Sequence, residues 1–327
     1  MDHSPDLVEL RARRLIAQGL APTAARDALT GPVDVARHLL ALQGQTYPAG
    51  IRAIALRADV DDAEVLAAVD RYEIVRAWPQ RGTLHFLPPE DARWMMRLLS
   101  PRVEKAAAGR RPALGLSPED VGVAREALHA ELRERGLEDP LSRKGAYRVF
   151  AAAGVDPGDG RGPHLLRALG GEGDVVQGPK KGSEETFVHV DDLLVEQREM
   201  PREESLAELA TRYLHSHGPA TAKDLVWWSK LTVAEARKAI AAARDVVEID
   251  LGGVSYWMGA WQADVTGAEI AAALAADHTL PAFDEYLLGY HDKSYILADE
   301  LRPRVLTMNG LSWSFEVSRG VVTGRAE

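Results

Sequence analysis

In the last third of the chain the apolar positions follow two different periods. In SLAELATRYLHSH (205–217) they recur at helical spacing and stop at Gly218 and Pro219. Thr221 then stands where an N-cap belongs, ahead of AKDLVWWSK. TVAE (232–235) is a capping-box sequence that opens VAEARKAIAAAR. Beyond it the period shortens to two: VVEID and VSYWM, separated by Gly252 and Gly253, predict a β-hairpin. Three helices followed by a two-stranded wing is the order of a winged helix, a helix-turn-helix with an added hairpin.

The same order is found twice more. From Ser117, SPED starts a helix running to about Arg135; SRKGAYRVFAAAG and PHLLRALG predict two more. DVVQG and TFVHV form the wing, with Lys180 and Lys181 near its tip. In the first third a leader helix spans Asp6 to Gln18. Helices are then predicted over Val33–Leu42, Pro48–Arg57 and Asp61–Arg71. The wing is EIVRAW, a turn at Pro79 and Gln80, and RGTLHFL. In this last strand Thr83 and His85 alternate with Leu84 and Phe86, which predicts that His85 points away from the core.

The expected fold class is therefore mainly α with small β-hairpin wings, built as three tandem winged-helix (helix-turn-helix) modules. Residues 1–115 hold the leader helix and the first module, 116–200 the second, and 201–327 the third with a C-terminal DEYLLGY segment. A repeat of about 100 residues indicates tandem modules rather than a solenoid.

Composition narrows the class. No apolar run reaches the ~18 residues that cross a bilayer, and MDHSPDLVELRARR lacks the apolar centre of a signal peptide. Cys is absent, which removes disulfides and thiolate chemistry. The expected location is the cytoplasm, at the nucleoid if the source is bacterial, with no membrane partner. A net charge of −10 and a pI near 5.5 argue against nucleic acid over the whole surface. The stretch from Arg71 to Arg111, however, carries nine Lys/Arg against four Asp/Glu. A phosphate backbone responds to local potential, so this stretch is a candidate DNA-binding face or, equally, a solvated helix face.

Several kinds of chemistry are missing. The glycines of GDGRG and GGEGDVVQGPKKGS match neither a Walker A loop nor a dinucleotide fingerprint, and there is no G-x-S-x-G elbow. His215 and His217 have no third ligand at metal spacing. No metal and no cofactor is expected.

The candidate chemistry centres on ALQGQTYPAG (41–50). If the first helix runs through Leu42, Gln43 continues the stripe of Val35 and Leu39, and Gly44 ends the helix in the left-handed region. Gln45 then stands beside Gln43, and the two amides either bridge helices or serve a substrate. Asp284, in PAFDEYLLGY, can stabilise positive charge or cap a helix; Tyr286 and Tyr290 have the spacing of structural residues. Arg81, Arg110 and Arg111, with Lys180 and Lys181, are candidate phosphate contacts, and His85 can reach either DNA or the QGQ turn.

ALQGQTYPAG, RAWPQRGTLHFLPPEDA and LPAFDEYLLGYHDKS, in this order and spacing, resemble signature segments of the bacterial AlkZ-like and YcaQ-like alkylpurine DNA glycosylases. The resemblance covers most of the chain. It implies three winged helices in a C-shaped arrangement around a DNA channel, double-stranded and alkylated DNA as partner, and hydrolytic removal of N7-alkylated purines, with cross-link unhooking in some members. The family's catalytic pair falls on Gln43 and Gln45, with Gly44 where relatives carry an apolar residue. The chemistry is consistent. A Gln amide is no general base near pH 7, but two can hold a water and set carbonyl dipoles against an oxocarbenium. Such modest help suffices when the leaving purine is already cationic. The alternative is a non-catalytic winged-helix DNA-binding protein, a regulator or damage binder. A regulator is usually a symmetric dimer, whereas three unlike modules suit a monomer.

Overall fold

The computed structural model describes residues 4–21, 23, 28–307 and 310–326. It is mainly helical, with small antiparallel sheets. Each third contains three helices and then a hairpin. In the first, the helices Pro32–Leu39, Tyr47–Ala58 and Asp62–Asp70 precede the strands Val75–Gln80 and Thr83–Leu87. In the second, Pro118–Arg135, Arg143–Ala152 and Arg161–Gly171 precede Val175–Gln177 and Thr186–His189. In the third, Arg202–His217, Ala222–Ser229 and Val233–Ala241 precede Val246–Leu251 and Val254–Gly259. The caps read from sequence are formed: Ser117 with Asp120, Thr221 with Asp224 and Thr232 with Glu235 each make a reciprocal capping box. Among the described residues no helix is long and apolar enough to cross a membrane.

Packing divides the chain into two compact units. One is continuous, Ala67–Met200; the other joins the residues up to Leu66 to those from Pro201 onward. The boundaries of these units fall at 200/201 and inside the helix Asp62–Asp70, and the first hairpin pairs with the second through Arg76 and Gln177. In the continuous unit the strands run Thr83–Leu87, Val75–Gln80, Val175–Gln177, Thr186–His189, Leu141–Ser142, all antiparallel. Trp78 of the first hairpin lies flat against Phe187 of the second, ring centroids 6.3 Å apart. Leu84, Leu128, Phe150 and Leu165 complete this core. Gly170 has no side chain because the Trp78 ring occupies the space a Cβ would fill.

In the discontinuous unit Leu15 and Ile16 of the leader helix Pro5–Ala17 share a core with Tyr286, Leu287, Ile296, Leu297 and Phe315. A three-stranded sheet, in the order Val321–Arg325, Phe315–Ser318, His278–Leu280, closes this end.

Three local expectations are corrected. The helix expected to reach Leu42 ends at Leu39, where Leu40 takes the positive φ (64°) that had been assigned to Gly44. Gln43 is therefore not on a helical stripe but in the short extended segment Leu42–Gln43. The first wing turns at Arg81 and Gly82 (φ 56° and 70°), a two-residue loop with both residues left-handed, rather than at Pro79 and Gln80. His85 is buried, not outward-facing. Both faces of Thr83–Leu87 are covered, so its alternation separates polar from apolar side chains without separating solvent from core.

Candidate active site

The QGQ turn sits between the helix ending at Leu39 and the helix beginning at Tyr47, and its two amides are placed differently. Gln43 is buried at 9% exposure, whereas Gln45 is exposed. The Gln43 side-chain carbonyl accepts the backbone N–H of Gln45 at 2.6 Å. One amide thus fixes the main chain that carries the other. The backbone N–H of Gln43 is itself donated to Glu285 Oε1 at 3.3 Å. The second oxygen of Glu285 accepts the indole N–H of Trp228 at 3.0 Å and lies 3.4 Å from His217 Nε2. Glu285, His217 and Trp228 are all buried. Sequence reading passed over Glu285: it lies 242 positions from Gln43, and nothing local sets it apart from any other first-turn glutamate.

Asp284, next to it, has a separate task. Arg57 grips it through two parallel bonds, Nη1 to Oδ2 at 2.8 Å and Nη2 to Oδ1 at 2.9 Å, and neither side chain has exposed surface. Asp284 Oδ1 also accepts the Tyr286 N–H at 2.9 Å, capping the helix Glu285–Leu288. Both Asp284 oxygens are thus engaged, Oδ1 by the cap and by Arg57 and Oδ2 by Arg57. Arg57 further donates to the Gln18 main-chain and side-chain carbonyls, each at 2.9 Å. Gln18 Nε2 reaches the Tyr290 hydroxyl at 3.0 Å, which donates to His217 O at 2.9 Å. Tyr286 donates its hydroxyl to Gly320 O at 2.7 Å. Burial raises the pKa of both phenols well above the ordinary value, so they remain neutral donors. Both tyrosines are fully buried.

His215 and His217 diverge: His215 Nε2 meets Asp245 O at 2.9 Å, while His217 Nδ1 meets Ser216 Oγ at 2.8 Å. Among the described residues no three His, Cys, Asp or Glu side chains converge as a metal site.

The basic stretch is largely consumed internally. Arg71 pairs with Glu73, Arg76 with Gln177 and Glu185, and Arg93 with Asp174 and Asp191. Arg97 also reaches Asp174. Arg111 donates to His164 Nε2 at 3.3 Å. Burial, then the charges of Arg167 and Arg111, lower the His164 pKa, which keeps that nitrogen an acceptor. Arg81 folds back to His85, Nη2 to Nε2 3.1 Å, and His85 Nδ1 lies 2.9 Å from Thr83 O. Lys181 pairs with Asp139 at 2.9 Å; burial, then the Arg76 charge, lower the Lys180 pKa. Lys105 and Arg110 are exposed and have no side-chain partner among the described residues.

The family profile described as "DNA glycosylase AlkZ-like" matches residues 36–327. The chain belongs to this family. It is thus an enzyme of the class that hydrolyses N-glycosyl bonds in DNA. Among curated proteins, this glycosylase is 27% identical over 301 residues to an interstrand DNA cross-link repair glycosylase of Streptomyces sahachiroi, covering 89% of this chain and 80% of the relative. Among solved structures it resembles the Streptomyces sahachiroi DNA glycosylase AlkZ with a TM-score of 0.75 at 24% identity, over 98% of this chain and 87% of that one. The likeness establishes a shared fold.

Proposed function

We propose that this glycosylase removes N7-alkylated purines from double-stranded DNA, with Gln43 and Gln45 as the residues that act on the substrate. The observation that carries the reading is the division of labour in the QGQ turn: Gln43 is buried and holds the Gln45 N–H, and Gln45 is exposed. Preorganised neutral dipoles suit a substrate that supplies its own leaving group. Alkylation at N7 makes the purine cationic. The C1′–N9 bond breaks with its electron pair going to the base, which leaves neutral, and the sugar becomes an oxocarbenium. Amide carbonyls oppose that charge and orient a water. The water adds to C1′ and loses a proton to solvent, leaving an abasic site. A cross-link anchored through purine N7 presents the same leaving group, so unhooking needs no further chemistry.

In this reading the three helix–hairpin runs are winged-helix modules of a monomeric cytoplasmic enzyme. Arg110 and Lys105, then Arg111, Arg81 and the Lys180–Lys181 tip, supply phosphate contacts. His85 positions Arg81 from inside, and Asp284 is structural. The test is single-turnover release of N7-methylguanine from a duplex by the parent and by the Gln43→Ala, Gln45→Ala double variant. Release by the parent alone supports the assignment; equal rates refute it. Gel filtration at an apparent mass near 35.6 kDa supports the monomer, and elution at twice that mass refutes it.

A further inference from the structure

Two N–H groups and one imidazole nitrogen converge on the buried carboxylate of Glu285. The Gln43 main chain reaches Oε1 at 3.3 Å, the Trp228 indole reaches Oε2 at 3.0 Å, and His217 Nε2 lies 3.4 Å from Oε2. The Ser216 hydroxyl lies 2.7 Å from Arg212 O and 2.8 Å from His217 Nδ1, which anchors the far side of the imidazole ring. The ring is held there by Tyr213, stacked 4.8 Å away, and by Gly289, where an added Cβ would come within 2.7 Å of His217 Cδ2.

We infer that Glu285 is the positioning residue of the catalytic turn. Its carboxylate fixes the Gln43 main chain, and Gln43 in turn fixes Gln45, while the Trp228 indole fixes the carboxylate. This deepens the proposed glycosylase reading and rests on it for its effect on rate. Only a group that accepts at both ends satisfies the indole and the Gln43 amide together. A glutamine at 285 is nearly the same size but turns an NH2 towards one of these donors. Rotated to satisfy Trp228 with its carbonyl, it releases Gln43. The indole opposes the NH2, so removing the indole N–H should let the amide turn back.

Four proteins test this: the parent, Glu285→Gln, Trp228→Phe, and the Trp228→Phe, Glu285→Gln double variant. Each is compared in single-turnover excision, duplex affinity, thermal midpoint and hydrogen exchange at the Gln43 amide. Glu285→Gln is expected to slow excision roughly 10- to 100-fold, the loss of one to two such contacts in the transition state, at parental duplex affinity. The Gln43 amide should exchange faster in the same variant. Trp228→Phe alone removes one anchor of the carboxylate and should slow excision about three- to tenfold, less than Glu285→Gln does. The double variant should recover most of the rate and of the protection. That recovery is what a merely structural glutamate does not give, because two core changes would then add. Parental excision by Glu285→Gln, or a folded double variant no better than it, overturns the inference. If the parent releases no base, the glycosylase reading fails, and Gln43 exchange alone decides whether Glu285 holds the turn.

Discussion

Arg57 and Asp284 face each other through two parallel charge-assisted bonds with no exposed surface on either side chain. They tie the helix Tyr47–Ala58, which leaves the QGQ turn, to the short helix Glu285–Leu288. The geometry that anchors the turn thus depends on a pair whose removal would strand a charge. Truncating Asp284 to Ala leaves the Arg57 guanidinium buried without its partner, at a cost of about 3–5 kcal/mol. Thermal or urea denaturation should show a large loss for Asp284→Ala. Wild-type stability with lost excision would instead make Asp284 a group that acts on the sugar.

The two glutamines should differ when changed singly. Gln45→Ala removes an exposed side chain and is expected to lower the excision rate while leaving stability and duplex affinity at parental levels. Gln43→Ala also removes the acceptor of the Gln45 N–H. It should lower stability by about 1 kcal/mol in addition to slowing excision. Two calorimetric scans beside the rate measurements separate the pair; identical stabilities would contradict the anchoring role of Gln43.

Charge bound in internal pairs is not available to a duplex. Arg110→Ala should reduce the slope of log Kd against log salt by about 0.9, the release of one condensed counterion. Arg93→Ala removes a cation already committed to Asp174 and Asp191 and should leave that slope unchanged while destabilising the fold. A titration series between low and moderate salt distinguishes them, and equal effects would mean that the ion pairs open on binding.

Two histidines make stability depend on pH. His38, half-buried against Ala17 O at 2.6 Å, and the fully buried His189 are both desolvated, which lowers each from the ordinary 6.5 to about 4. The unfolded chain therefore binds more protons than the native one between these values. Stability is retained above 6.5 and declines as pH falls towards about 4, by up to roughly 3 kcal/mol for each group. Urea midpoints at pH 7 and pH 5 should show the decline, and His38→Gln should flatten it. An equal slope in that variant would assign the effect elsewhere.

Much of the architecture is legible locally. The capping boxes at Thr221 and Thr232 are written within four residues, and the left-handed pair Gly252–Gly253 announces its hairpin. The site was legible only in part. ALQGQT marks the turn, but the backbone strain falls on Leu40 rather than on the glycine. His85 was misplaced because a strand covered on both faces keeps the alternation of a half-exposed one. Glu285 could not be read at all, since its meaning lies in a partner 242 residues away. The pairing of Arg76 with Gln177 is likewise long-range, and it moved the first hairpin into the unit of the second.

The discontinuous unit also orders events at the ribosome. The chain from Ala67 to Met200 emerges as one complete set of packing partners, while everything up to Leu66 must wait for the residues after Pro201. Gln43 waits longer still, until Glu285 has been synthesised. A nascent chain halted before that point carries both glutamines without the carboxylate that receives the Gln43 N–H, and under the proposed assignment it is expected to release no base.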